Sequence, residues 1–302
     1  MLKVSVVMAT YNGEKYIKKQ LDSLESQSML PYELVIVDDA SADKTPEIIE
    51  EFIKGSKLNI RFYRNESNIG FFENFKKGLS LANGDVCALC DQDDIWESEK
   101  IATISEMFAD GKVFGLAAGF RFIDENGVPF ETDKLKNGVF AFLTEAPEKM
   151  TEKIELKTLS HRNIAPGCAC AFKKSVVDIF LENCLRELPH DYQLSAIAAA
   201  LDGFFFYNKP LTRYRIHGDN TLGLKPLDQT RLDIANEKYL LSNVVSKVSV
   251  SGENYYLLSK RRFECLRDKR PMKLLSMNFS SDYRRFYTIK ERAGDFVYAI
   301  KR

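Results

Sequence analysis

Four consecutive residues, Asp91-Gln92-Asp93-Asp94, follow directly on the apolar run Val86 to Leu89. Carboxylates this close repel one another and raise one another's pKa, so the cluster is costly unless a positive charge answers it. Carboxylate oxygens suit hard divalent ions, Mg or Mn, which keep open positions for the oxygens of a phosphate-bearing ligand. A solvated acidic turn capping a helix that starts near Trp96 accounts for the same residues without a ligand, and spacing alone leaves both readings open. Two further polar sets also follow apolar runs: Thr10-Tyr11-Asn12-Gly13 and Asp38-Asp39-Ala40-Ser41.

The elements that must position these sets show as an alternation. Val4 to Met8, Leu34 to Val37, Ile60 to Tyr63 and Val86 to Leu89 are nearly continuously apolar, as parallel strands covered on both faces should be. Between them Ile17, Leu21 and Leu24 recur at helical spacing, Ile48, Ile49, Phe52 and Ile53 form a second apolar face, and Phe72, Phe75 and Leu79 a third. Thr45 is expected to cap the second helix, with Pro46 at its first position. Asn83-Gly84 is expected to end the third by adopting positive φ. Such alternation predicts an α/β fold with a parallel sheet, in which ligands bind beyond the carboxyl ends of the strands. The three polar sets lie at those ends.

From about 111 to 225 the alternation loosens, with turns at Glu125-Asn126-Gly127 and Ala165-Pro166-Gly167-Cys168 and an alanine-rich helix over Tyr192 to Leu201. Beyond 226 the pattern is helical and basic, with Lys260, Arg261, Arg262, Arg267, Lys269, Arg270, Arg284 and Arg285 among aromatic residues. Trp96 and Phe204-Phe205-Phe206 read as core.

The 302 residues, 45% of them apolar, can bury a substantial core. Forty-three basic residues balance 43 acidic ones, so no global field marks nucleic acid as a partner, and none is expected. The apolar run at the N-terminus is too short for a signal segment, and no stretch of about 18 apolar residues marks a membrane span. A cytoplasmic location is expected. Cys87 and Cys90 have metal-motif spacing, but on a strand they point to opposite faces, which favours buried free thiols.

Val4-Ser5-Val6-Val7-Met8-Ala9-Thr10-Tyr11-Asn12, Val37-Asp38-Asp39-Ala40-Ser41, Asn68-Ile69-Gly70 and Asp91-Gln92-Asp93-Asp94 resemble glycosyltransferase family 2, the inverting enzymes of the GT-A fold. The form Asp-Gln-Asp-Asp-Ile-Trp is most similar to its bacterial rhamnosyltransferase-like branch. The resemblance runs over roughly residues 1 to 220. It implies a Rossmann-like, nucleotide-sugar-binding three-layer sandwich over 1–225, followed by a helical, basic extension over 226–302.

The resemblance also implies roles. Thr10 and Tyr11 would line the base pocket, Asp39 would accept the imide N–H of uracil or thymine, and Asn68, Gly70 and Gly167 would shape the nucleotide-sugar site. Asp91 would contact the ribose and Asp93 would hold a Mg or Mn ion, with Asp94 as a second candidate and His217 reaching the metal or diphosphate. Asp191 would be the general base toward the acceptor; its alternative is an N-cap. Arg213 and Arg215 are weaker phosphate candidates, and Arg162-Asn163 would border the acceptor.

The expected function is therefore an inverting, metal-dependent transfer from a dTDP- or UDP-sugar, L-rhamnose first among the donors, to a cell-surface glycan or lipid-linked saccharide. A sugar-phosphate nucleotidyltransferase and a non-catalytic nucleotide-sugar sensor are the rivals; the former expects a glycine-rich phosphate loop that Ala9-Thr10-Tyr11-Asn12-Gly13 reproduces poorly. The basic C-terminal segment is expected either to touch a membrane peripherally or to pack on the catalytic domain or in a homodimer.

Overall fold

The computed structural model describes residues 2–130, 150–218 and 230–301. Strands β1 (Val4–Thr10), β2 (Glu33–Asp38), β3 (Ile60–Arg64) and β4 (Val86–Asp91) are mutually parallel, where the continuous apolar runs predict them. They form one half of a sheet that contains nine strands among the described residues. The other half comprises β5 (Ile95–Trp96), β6 (Gly115–Ile123), β7 (Thr151–Lys153), β8 (Cys170–Lys173) and β9 (Phe204–Arg215). The order is β3-β2-β1-β4-β8-β6-β9-β5, with β7 on β9, and β8 runs antiparallel to both β4 and β6.

Helices cover both faces, giving the expected three layers. Helices α1 (Ile17–Glu25), α2 (Thr45–Gly55) and α4 (Lys100–Ala109) pack with Val4, Val6, Met8 and Cys90. Helices α3 (Phe71–Leu81), α5 (Leu156–Leu159), α6 (Lys174–Asn183) and α7 (His190–Ala200) pack with Val7, Cys87 and Leu89 on the opposite face. The period of two along β4 thus separates Cys87 from Cys90, and both are buried free thiols.

Three local expectations are corrected. Thr45 is the first helical residue and not the cap; its hydroxyl bonds Asp43 and accepts the Gly13 N–H. Helix α3 ends in extended backbone at Ala82, and Gly84 answers crowding instead of positive φ: a Cβ there would lie 2.6 Å from the Lys3 carbonyl oxygen. Ile95–Trp96 is a short strand on β9, and the following helix begins only at Lys100.

The chain ends in α8 (Arg231–Val245), α9 (Val250–Arg267), α10 (Pro271–Met277), α11 (Ser281–Phe286) and α12 (Ile289–Ile300). Their apolar faces join the α7 side of the core through Leu241, Val245, Tyr255 and Tyr283. Arg262 and Asp295, both fully buried, pair at 2.6 and 2.9 Å within this bundle. The boundary expected at 225/226 lies outside the described residues.

Candidate active site

Sheet register brings the polar sets together. Thr10 pairs with Asp38 and Ala9 with Asp91, so β1, β2 and β4 finish level and release their loops at one edge. The Gln92 side chain then clamps the first loop, its Oε1 accepting the Tyr11 N–H and its Nε2 donating to the Tyr11 carbonyl, each at 2.9 Å. Gly13 is needed for that clamp, because a Cβ would stand 2.2 Å from Gln92 Oε1. The Asn12 N–H donates to Ser41 Oγ and its Oδ1 accepts the Ala42 N–H, tying the first loop to the second.

Buried Thr10 turns its hydroxyl to Asp38 Oδ1 at 2.9 Å. Its side chain therefore braces the loop between β1 and β2. Tyr11, 47% exposed, stands at the opening. Asp39 is buried and accepts from Asn65 Nδ2, the Ile69 N–H and the Gly70 N–H, all at 2.8 Å. Asn68 Oδ1 accepts the same Gly70 N–H at 3.1 Å, and Gly70 holds φ at 87°, a value glycine tolerates best. Asp39 thus builds the 68–70 loop, and one lone pair of its Oδ2 is left for a ring N–H.

The acidic residues divide by surroundings. Asp93 Oδ2 lies 2.8 Å from His217 Nε2, and the His217 ring packs on Tyr16 with centroids 4.8 Å apart. Asp94 is fully buried; its Oδ1 accepts the Arg215 N–H, the Cys168 thiol lies beside the carboxyl, and Oδ2 has no oxygen or nitrogen partner among the described residues. Burial, with the Asp93 and Asp91 charges, holds its carboxyl well above the usual carboxylate range. Asp91 keeps a partial opening to solvent, yet burial, Asp93 and Asp191 push it up to about 7. Asp91, Asp94 and Cys168 place ligand atoms within 4.8 Å of one another.

These residues fit a hard divalent ion. Octahedral ligands at about 2.1 Å lie roughly 3 Å apart when adjacent, close to the Asp93–His217 separation. Burial and mutual repulsion penalise the charged forms of Asp91 and Asp94, and a cation bound among them would offset that penalty. Burial pushes the Cys168 thiol well above its ordinary value, so it stays protonated and is a poor ligand beside them.

Asp191 lies in the first turn of α7, whose cap position is Pro189, so it is not the cap. Its Oδ1 accepts the Tyr192 N–H at 2.8 Å and its Oδ2 accepts from Asn163 Nδ2 at 3.0 Å. Gly167 faces it: a Cβ there would lie 3.4 Å from the Asp191 Cβ. Gly167 also lies against Leu89 of β4, so Asp191 sits near the end of the strand that carries the acidic cluster, and its charge helps to raise Asp91. His190 is buried against Phe75 at 4.2 Å with both ring nitrogens unpartnered.

The two weaker phosphate candidates are both engaged within the protein. Arg215 is buried, giving its Nε to the Asp93 carbonyl and its Nη1 to the carbonyls of Asp124 and Glu125. Arg213 makes a two-pronged pair with Glu97 at 2.8 and 3.0 Å. Arg162 is exposed. Lys100 escaped sequence reasoning, as did the part Gln92 plays in clamping the first loop. Lys100 is buried over the Trp96 ring, donates to the Cys168 carbonyl and Thr212, and places a cation behind the acidic cluster; burial lowers it to about 8.

The model of a family described as glycosyl transferase family 2 matches residues 5–180. An uncharacterized glycosyltransferase of Methanocaldococcus jannaschii is 35% identical over 226 residues, 72% of this chain and 73% of its own. A dTDP-rhamnosyl transferase of Shigella flexneri is 27% identical over 231 residues, again 72% and 73%. The chain also matches uncharacterized mycobacterial proteins at 43% identity, across 31% of its length but only 27% of theirs. Among solved structures, S. aureus TarS in complex with UDP-GlcNAc superposes with a TM-score of 0.60 at 18% identity, covering 97% of this chain and 92% of that one. A Pyrobaculum calidifontis mannosyltransferase in complex with GDP-Man and Mn2+ gives 0.52 at 15%, covering 99% and 86%. These structures share the fold. No helix among the described residues is long and apolar enough to cross a membrane.

Proposed function

The chain belongs to glycosyl transferase family 2, with the GT-A fold, and on that premise we propose an inverting, metal-dependent transfer of a sugar from a dTDP- or UDP-sugar to a glycan or lipid-linked saccharide. L-Rhamnose from dTDP-rhamnose is the donor favoured, supported by the Shigella relative. The observation that carries the reading is one cluster at the ends of β1, β2 and β4. It combines a carboxylate–imidazole pair, Asp93 and His217, with a second carboxylate, Asp191, that accepts from Asn163.

Asp39 offers its remaining lone pair to the imide N–H of a pyrimidine; a base without that donor leaves the buried carboxylate short of a partner. Asp91 faces the ribose. Asp93 and His217 would hold a Mg or Mn ion, whose charge would answer the negative charge that accumulates on the diphosphate as it leaves. Asp191 takes the acceptor hydroxyl proton as that oxygen bonds to the anomeric carbon and the bond from that carbon to the diphosphate breaks with inversion. Asn163 and the Tyr192 N–H orient the carboxylate and leave one lone pair on each oxygen for the proton.

Titration of dTDP and UDP with and without manganese tests the donor side, and a hydrolysis screen across nucleotide sugars identifies the sugar. Binding indifferent both to manganese and to Asp93→Asn removes the metal reading. Asp191→Asn is expected to lower transfer about 10²–10⁴-fold while nucleotide affinity stays within about twofold; equal loss of both assigns Asp191 to binding instead.

A further inference from the structure

The closing helices leave an apolar face uncovered. On α12, Ile289, Ala293, Val297 and Ile300 are all exposed, and at helical spacing they fall within an arc of about 80°. Asp295 and Ala299 occupy the buried side. Helix α10 repeats the pattern: Met272, Leu275 and, just beyond it, Phe279 face solvent opposite buried Leu274 and Met277. The exposures are large, 88% for Phe279, 77% for Ile289 and 73% for Met272. A monomeric protein rarely leaves apolar side chains grouped in this way without a use for them.

The two helices that carry these stripes are neighbours. Arg292 Nη1 donates to Asn278 Oδ1 at 2.6 Å, and Lys269 Nζ donates to the carbonyls of Tyr298 and Lys301. Helices α10 and α12 therefore run side by side in opposite directions. Between α9 and α10 a groove of about 380 Å³ is lined by Leu257, Lys260, Arg261, Glu264, Arg270 and Lys273, four cations against one carboxylate. Residues 246–302 carry 14 Lys and Arg against 6 Asp and Glu, in a chain that is neutral as a whole. The basic excess thus belongs to the same closing helices that carry the apolar stripes.

We propose that this face docks on an anionic lipid bilayer. Phe279, Met272, Ile289 and Val297 enter the boundary between headgroups and acyl chains, and the groove cations pair with lipid phosphates. Charge selects this occupant over a second copy of the chain. Two-fold self-association would set the basic groove residues of one copy near those of the other, whereas an anionic surface complements them. The placement is independent of the donor site, so it stands or fails separately from the proposed transfer reaction.

The test is co-sedimentation of the full chain with vesicles of phosphatidylcholine alone or doped with phosphatidylglycerol, at low and high salt. Light scattering on the same samples gives the oligomeric state. Binding is expected only with phosphatidylglycerol and only at low salt. Joint Lys260→Ala, Arg261→Ala and Lys273→Ala should weaken it roughly fivefold per cation removed. Phe279→Asp with Ile289→Asp should abolish it, with helical circular dichroism and donor hydrolysis in free solution unchanged. Absence of the protein from anionic vesicles overturns the proposal, as does equal binding to both vesicle types. So does a dimer that the same aspartates dissociate while vesicle binding is nil.

Discussion

Gln92 returns both ends of its side-chain amide to the backbone of Tyr11, accepting the N–H and donating to the carbonyl at 2.9 Å each. A residue of the acidic motif thereby sets the loop that ends β1. Gln92→Glu keeps the shape but loses the donor and places a carboxylate against the Tyr11 carbonyl. Nucleotide affinity should fall about tenfold and stability by about 1–2 kcal/mol, measured by calorimetric titration and urea unfolding. Gly13→Ala should cost about as much as losing the clamp, since its Cβ at 2.2 Å would push the Gln92 amide aside, and much less in a Gln92→Ala background. Additive effects in that cycle would show that the clamp does not explain Gly13.

The raised Asp91 carboxyl gives the unliganded protein a defined pH dependence. Its ordinary value is 3.8 and in the fold it is about 7, so the folded state holds a proton that the unfolded chain releases between those values. The stabilisation is complete below about pH 3.8 and is lost as pH rises through 7. Asp91→Asn lacks this loss. It should unfold like the parent near pH 4 and be more stable at pH 8 by about 1–3 kcal/mol, discounted for partial exposure. Manganese with nucleotide should reverse the ranking at pH 8 by binding the folded parent. Parallel stability curves for the two proteins would remove the electrostatic account.

Glu291 joins the C-terminal helices to the catalytic half, with Lys238 Nζ at 2.5 Å and His161 Nδ1 at 3.3 Å. Burial raises its pKa, but the His161 and Lys238 contacts outweigh that and hold it well below its ordinary 4.5. The sign is opposite to that of Asp91: the contribution is present above pH 4.5 and drains away as pH falls. Glu291→Gln should cost about 1.5–3 kcal/mol at pH 7, with a narrowing gap below pH 4.5. Urea unfolding at the two pH values decides it, and a constant gap assigns the loss to packing.

The first four strands are legible because a strand covered on both faces must be apolar at nearly every position, and β2 is buried at all six. Once their ends are known, the convergence of 10–13, 38–41 and 91–94 follows from register. Partnerships between distant residues are not legible. Nothing local distinguishes Arg215, spent on the carbonyls of Asp93 and Asp124, from an arginine awaiting a phosphate. Thr10 sits where the resemblance expects a pocket residue, yet its hydroxyl turns inward to Asp38. Ile95–Trp96 reads as a helix start because its strand partner is more than a hundred residues away in sequence.

Gly167 offers a way to probe the acceptor side without disturbing the fold. Its backbone does not need positive φ, and an added methyl would stand at ordinary contact distance, 3.4 Å from the Asp191 Cβ and 3.6 Å from both His190 Nε2 and Leu89 Cδ1. Gly167→Ala should therefore be neutral or stabilising by up to about 1 kcal/mol, since alanine restricts the unfolded chain. The same methyl stands against the side chain of Asp191, the residue proposed to receive the acceptor hydroxyl. An error near 1 Å at such a place costs on the order of a hundredfold. Transfer to the acceptor should fall to that extent, whereas hydrolysis of the donor by water, which needs less room, should fall much less, and nucleotide affinity should hold. If transfer and hydrolysis decline together, the acceptor does not pass Gly167 and the assignment of Asp191 to the acceptor side fails with it.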